Sequence, residues 1–510
     1  MYTSEINPPD IYPQDVYNKQ LRALLHPANR KNPTPEKRYN LVILGAGPAG
    51  LVAAAGAAGL GAKVALVERS LMGGDCLNVG CVPSKALIRC ARAMADVRNS
   101  TEFGIRLPGT PHVDFAEVMK RMRNLRTELA VHDSVDRFTK LGIDVFLGEG
   151  KFVGPDKIEV EDATLNFSNA LIATGTAPVI PDISGIENVR ILTNETLFSI
   201  EELPQRLVIL GAGPIGCEMG QAFARFGSQV TLVEIADQIL PREDYMAASI
   251  VAAALKSDGI EVLCNAKATE VQRDQSSTIL YVTQNDNKLI LHTDVIVTTT
   301  ERSPNVNSLG LESAGIEYDS RQGVQVNDYL QTTNPIIYAA GDVASKFKFT
   351  HAADAMARIV IRNALFFGRE KASKLVIPWC TYTDPEIAHV GLNVKEAEAQ
   401  NITLNTITVP LANIDRAVLD GEPSGILQVH LKESSDKILG ATLVSRHAGE
   451  SISEITALMV SGKGLSSLAQ VLHPYPTQSE IFKKAADVYN RSRLTPGIHK
   501  LFKYFLSWRR

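Results

Sequence analysis

The chain has 510 residues, too many for one core and close to three domain-sized units at roughly 150 residues each. Hydrophobic residues at 45% and charged residues at 21% exclude wholesale disorder, and a formal net charge of −4 leaves no basic footprint for nucleic acid as a main partner. Six cysteines make no disulfide scaffold; they fit a reducing, cytoplasmic setting in which paired cysteines would be catalytic or metal-binding.

Residues 1–38 are polar and proline-rich and read as an extended arm or surface wrap. They lack the apolar core of a secretory signal, and Glu5, Asp10 and Asp15 argue against an organelle transit peptide. Residues 41–62 are uncharged and long enough to span a bilayer, but seven positions there are glycine or proline, among them Gly45, Gly47, Pro48 and Gly50. Two apolar segments around a glycine turn fit this stretch better than a transmembrane helix.

That turn reads LVILGAGPAG at 41–50, followed by VALVE at 64–68. Gly45 permits the turn, Gly47 lets the backbone approach a pyrophosphate, and Gly50 lets the helix pack close to the strand. Glu68 is spaced to bind ribose hydroxyls. Next comes GGDCLNVGCVPSKALIRC, in which Cys76 and Cys81 enclose four residues and Pro83 is placed to open a helix. A thiol at a helix N-terminus meets the positive dipole end, with Lys85 one turn on, and this favours the thiolate. Cys90, Cys217, Cys264 and Cys380 are isolated and read as core packing.

Residues 100–165 mix an amphipathic helix with short strands that lead to LIATGTAP at 171–178. At 207–216 the sequence reads LVILGAGPIG, identical to the first turn at all but one position, and VTLVE at 230–234 repeats the second strand. Gly211, Gly213, Gly216 and Glu234 therefore form a second copy of the mononucleotide-binding unit. Residues 260–300 alternate as antiparallel strands would. From about residue 371 strands and helices continue without a glycine fingerprint, which suggests a third domain.

GGDCLNVGCVPSKAL closely resembles the redox-active signature of the class I pyridine nucleotide–disulfide oxidoreductases. ATG at 173–175, RSPN at 302–305, AAGD at 339–342, YTDPEIAHVGL at 382–392 and HPYPTQSE at 473–480 follow in that family's order, so the resemblance covers about residues 39–490. It implies an α/β chain with two Rossmann-like domains, for FAD and NAD(P), and a C-terminal α+β domain that forms a homodimer. The boundaries expected are an extension at 1–38, FAD domain at 39–190 and 306–370, NAD(P) domain at 191–305, dimerisation domain at 371–490 and a basic amphipathic tail at 491–510.

The resemblance further implies that Thr174, Gly175, Gly341 and Asp342 contact FAD, with Asp342 on its ribityl chain and the Thr350–His351 backbone near its pyrimidine ring. Lys85 would sit at the flavin N5 edge, paired with Glu218, since a buried lysine needs a counter-charge. Cys81 would be the thiolate facing the flavin and Cys76 the outer thiol that meets the acceptor. Glu234 suits free ribose hydroxyls and repels a 2′-phosphate, so NADH is favoured over NADPH.

One departure bears on the acceptor. Disulfide-reducing members carry His-x-His-Pro-Thr-x-x-Glu, and the second histidine is their acid–base group. Here Tyr475 stands at that position, between His473 and Glu480. Histidine can accept and donate protons near neutrality, whereas tyrosine, near pKa 10, is a poor base there. A soft metal ion between thiolates needs no such shuttle. Mercuric reductases carry tyrosine here too, so the resemblance implies reduction of Hg(II) or a related soft metal, with Cys76 and Cys81 holding it transiently and Tyr475 of the other subunit lining the pocket. Alternatives are a disulfide reductase of the dihydrolipoyl dehydrogenase type or a quinone-type reductase, and a redox-sensing flavoprotein. Cys380 is the last cysteine and no CxxC precedes residue 39, so slow metal transfer from thiol carriers is expected.

Ile498, Leu501, Phe502 and Phe505 fall at helical spacing among basic residues. Such a helix can lie on an anionic membrane or bind a partner, but the expectation is a terminal helix packed on the dimerisation domain.

Overall fold

The computed structural model describes residues 11–273 and 278–510. Glu5 and Asp10, and part of the segment expected to form antiparallel strands at 260–300, lie outside the described residues. The described residues divide into two compact units, one formed by residues 11–211, 222–230, 268–273 and 278–375, the other by 212–221, 231–267 and 376–510.

In the first unit a parallel sheet runs in the order Asp144–Leu147, Val64–Glu68, Tyr39–Leu44, Ala163–Ile172, and Ile337–Ala339 also pairs with the last of these. The antiparallel strands Lys157–Val160 and Gly150–Gly154 extend it. The first strands are buried on both faces, as parallel strands covered by helices must be, which explains their unbroken apolar runs. Phe152 and Phe167 meet edge to face at 6.2 Å in the core below the sheet. Helix Pro48–Gly59 packs on helix Thr350–Leu365 closely enough that a Cβ on Gly56 would lie 2.7 Å from Ile361 Cδ1. Strands Arg206–Leu210, Val295–Thr298 and Ile191–Leu192 form a second parallel ladder in this unit. Thr278–Gln284 and Asn287–Thr293 pair antiparallel, as the alternation predicts.

The expected extended arm is instead partly helical. Val16–Leu25 forms a helix capped by the Asp15 carboxylate, which accepts from the Asn18 N–H at 2.8 Å. Leu21 and Leu25 are fully buried, and Arg123 and Arg126 of helix Phe115–Ala130 bond Asp15 at 2.5 Å and Asn18 at 2.6 Å. The prolines flank this helix rather than interrupt it, so their density does not keep the segment extended.

In the second unit an antiparallel sheet runs Pro378–Thr381, Glu386–Gly391, Ile438–Ser445, Ile426–Lys432, Leu404–Pro410. Helices Ser453–Val460 and Glu480–Ser492 accompany it, and Ile455, Phe482 and Ala486 join its core. Helix Pro496–Trp508 follows and buries none of its residues, against the expectation of a packed terminal helix. Its apolar side chains find no cover among the described residues. Among the described residues no helix is long and apolar enough to cross a membrane.

Candidate active site

The first glycine turn is a close-fitted cradle. Gly45 has φ +101°, and a Cβ there would stand 2.4 Å from the Ala173 carbonyl oxygen of the ATG segment. On Gly50 a Cβ would reach within 1.8 Å of the Gly45 oxygen, and on Gly74 within 2.6 Å of Gly47 Cα. Helix Pro48–Gly59 therefore presents its N-terminus over bare backbone, the arrangement that receives a pyrophosphate. Glu68 is buried, and its carboxylate accepts from the Ala46 and Ser70 N–H groups at 2.7 Å each. Burial outweighs these bonds and raises its pKa.

Cys76 lies on the short helix Gly74–Asn78, and Cys81 is the first residue of the 18-residue helix Cys81–Arg98. Pro83 thus falls two residues inside the helix rather than at its start, which the first turn tolerates because its N–H needs no partner there. Both cysteines are free thiols, Cys76 partly covered and Cys81 exposed. The Cys76 pKa is raised, first by its hydrogen bond to Cys81, then by burial and by charge on Cys81; the Thr350 hydroxyl works against this. Thr350 Oγ1 stands 3.6 Å from Cys81 Sγ at the start of its own helix, and the neighbouring His351 ring stacks on Phe349 at 5.5 Å. The two thiols differ in setting: Cys76 is the more covered, and Cys81 opens a long helix whose N-terminus it faces. Lys85 follows Cys81 by one turn on the same helix.

The ATG and RSPN segments knit together beside this pair. Thr174 donates to the Asn305 carbonyl at 2.8 Å, and the Asn305 side chain donates back to the Thr174 carbonyl at 2.9 Å. Arg302 ion-pairs with Asp75, the residue before Cys76, and donates to Thr176 Oγ1 at 2.7 Å and Asn194 at 3.1 Å. Asp342, after Gly341, is held 3.5 Å from Thr176 Oγ1, and burial raises its pKa. Arg302, Asp75 and Asn194 were not singled out from the sequence; the RSPN motif was the available signal, but it does not name partners over 100 residues away.

The second glycine fingerprint is more open. The division between units falls within it, with Gly211 in one and residues 212–221, including Gly213 and Gly216, in the other. Glu234 accepts from the Ala212 N–H at 2.7 Å and the Ala236 N–H at 2.9 Å, the pattern seen at Glu68. A Cβ on Gly213 would meet no described atom within 4 Å. Glu218, on helix Pro214–Phe226, is buried and accepts from the Tyr382 N–H at 2.8 Å, while Gln221 bonds both the N–H and the carbonyl of Asp384.

The 473–480 segment lies in the second unit. Tyr475 is 70% exposed, and its hydroxyl donates to the Asp415 carboxylate at 2.9 Å, which raises the tyrosine pKa. The His473 side chain is only 6% exposed and turns instead to Glu454, at 3.0 Å. Glu480 begins helix Glu480–Ser492. Histidine and tyrosine, two residues apart, therefore engage different carboxylates.

The pyridine nucleotide-disulphide oxidoreductase family matches residues 39–357, and its dimerisation domain matches residues 377–486. The chain belongs to this family. It is 33% identical to a mercuric reductase of Lysinibacillus sphaericus over 89% of this chain and 83% of that protein. It is also 33% identical to a dihydrolipoyl dehydrogenase of Bacillus subtilis, over 88% of this chain and 95% of the other. Among solved structures, the Cu(II) complex of the HOCl-induced flavoprotein disulfide reductase RclA from Escherichia coli is similar, with a TM-score of 0.78 and 27% identity over 89% of this chain and all of that one.

As a pyridine nucleotide-disulphide oxidoreductase the protein uses FAD and NAD(P)H. The residues present fit both. The first cradle excludes side chains where a pyrophosphate must approach and keeps the buried Asp342 carboxylate near by; the second leaves open space over Gly213 beside Glu234.

Proposed function

We propose that this oxidoreductase passes electrons from NAD(P)H to the Cys76–Cys81 pair and from there to Hg(II) or another soft metal ion. The observation that carries this reading is Tyr475, bonded to Asp415, where a disulfide reductase needs a base. A tyrosine whose pKa is raised further by a carboxylate accepts no proton near neutrality. The overall reaction, NAD(P)H plus Hg(II) giving NAD(P)+, a proton and Hg(0), asks for no protonated leaving group. The Cu(II) bound in the similar RclA structure supports a metal acceptor for this architecture.

Bound FAD supplies the two-electron link between nicotinamide and cysteines. The residues do the rest. Cys76 binds the soft cation as a thiolate and gives up its proton on binding, because a coordinating thiol is deprotonated outright. Cys81, at its helix N-terminus, is the partner thiolate. Lys85 and Glu218 enter the proposal as a cation and its counter-charge at the flavin edge. Glu234 selects NADH, its carboxylate repelling a 2′-phosphate. In a cytoplasmic homodimer built on the dimerisation domain, Tyr475 and Glu480 of one subunit would serve the cysteines of the other.

A second reading has its own observation. His473 and Glu454, 3.0 Å apart, form a histidine–carboxylate pair that could serve a disulfide acceptor of the lipoamide kind. Anaerobic NADH oxidation with Hg(II) and excess thiol, measured against lipoamide, distinguishes them. Mercury-dependent turnover releasing Hg(0) is expected; turnover of lipoamide alone overturns the metal assignment, and slow turnover with every acceptor points to a redox sensor. Cys76→Ala is expected to lose at least about 100-fold of the mercury-dependent rate, the scale for removing a reacting group. Full retention of that rate would remove Cys76 from the site.

A further inference from the structure

We propose that helix Pro496–Trp508 docks the protein on an anionic lipid surface, lying in the plane of the interface. The sequence builds it as a separate element. Thr495 caps it through the Ile498 N–H at 3.4 Å, Pro496 occupies its first turn, and three residues separate it from helix Glu480–Ser492. None of its residues is buried, and among its large apolar side chains exposure runs from 39% at Ile498 to 78% at Trp508.

At about 100° per residue, Ile498, Leu501, Phe502, Phe505 and Trp508 share one side of the helix, while His499, Lys500, Lys503 and Ser507 share the other. The charge is one-sided in sign as well. Arg491, Arg493, Lys500, Lys503, Arg509 and Arg510 follow Asp487, and no acidic residue does. At about 1.5 Å per residue this helix is about 20 Å long, too short to span a bilayer and suited to lie in its surface. Aromatic side chains on the apolar face and lysines on the other match the apolar boundary and the anionic headgroups of such a surface. A second copy fits less well, because an isologous contact would bring like-charged helices together with no carboxylate to offset them.

Full-length FAD-loaded protein is to be sedimented with vesicles of phosphatidylcholine alone or with roughly one third phosphatidylserine. The anionic vesicles are expected to take up about tenfold more protein, with the excess lost at high salt. Leu501→Glu with Phe505→Glu should abolish binding to both while NADH-dependent turnover persists, which shows the fold is intact. Lys500→Glu with Lys503→Glu should remove only the preference for anionic vesicles. Equal uptake by both vesicles, or none, overturns the proposal. So does a change of oligomeric state in the Leu501→Glu, Phe505→Glu variant, which would mean that a second copy covers this face.

Discussion

The two glycine fingerprints differ at one residue in ten, yet the structure surrounds them differently. In both, a glutamate at the end of the second strand accepts two backbone N–H groups, at 2.7 Å each for Glu68 and at 2.7 and 2.9 Å for Glu234. Around the first, Gly74 of the cysteine segment presses on Gly47, and Ala173 presses on Gly45. Around the second, a Cβ on Gly211 would stand 3.0 Å from Thr299 Oγ1, and one on Gly213 would meet no described atom within 4 Å. A closed cradle suits a resident cofactor that must hold the cysteine segment in place. An open one suits a nucleotide that binds and leaves with each turnover. Motif identity thus sets what kind of group is bound, and the surroundings set how tightly.

Substitution of one glycine in each fingerprint gives the largest test of this contrast. Gly50→Ala places a methyl group 1.8 Å from a carbonyl oxygen of the turn, so the flavin content of the purified protein should fall at least about tenfold, with a loss of several kcal/mol in stability. Gly213→Ala clashes with no described atom of the chain and should retain full flavin, but its methyl group enters the space left for the dinucleotide and should raise KM for NADH. Equal flavin loss in both variants would break the contrast.

The carboxylates provide a smaller effect. If Glu234 reads ribose hydroxyls, kcat/KM for NADH should exceed that for NADPH, by roughly tenfold or about 1.4 kcal/mol. Glu234→Gln should narrow the ratio chiefly through KM for NADPH. A wild-type ratio favouring NADPH would show that the backbone bonds at 2.7 and 2.9 Å use up the glutamate and leave selection to other residues.

Much of this contrast was legible in the sequence, but only its local half. Glycine spacing reports φ requirements and close approach within one turn, so both cradles and the Cys76–Cys81 pair could be placed from ten to twenty residues of context. What closes the first cradle comes from farther away. Ala173 reaches Gly45 from over 120 positions off, and Arg302 reaches Asp75 across 227. Such contacts leave no periodicity to read. The helix Val16–Leu25 was hidden for a related reason: the composition of residues 1–38 is dominated by prolines outside it, and its partners Arg123 and Arg126 lie about a hundred residues on. Helix Pro496–Trp508 was legible as amphipathic, yet its exposure was not, because a pattern shows which face is apolar and not whether anything covers it.

A buried carboxylate with no nucleotide assigned to it sets the baseline for Glu68. Glu243 accepts one bond, from Trp379 Nε1 at 2.6 Å, and its other oxygen has no described partner. Burial pushes its pKa up to about 7; Trp379 opposes this, and among the surrounding charges Asp244 and Glu396 add to the rise while Arg242 opposes it. A raised folded pKa stabilises the fold fully below the unfolded value, near 4.3, and this contribution is lost as pH rises through about 7. Over that window the loss is about 3 kcal/mol. Glu243→Gln carries no charge to bury, so its stability relative to wild type should improve by roughly that amount between pH 4.5 and 8, read as diverging denaturation midpoints. Glu68→Gln should show a smaller divergence, because Glu68 has a backbone N–H on each oxygen to stabilise its charge. If both variants diverge equally, the two backbone bonds do little to offset the burial of the Glu68 carboxylate.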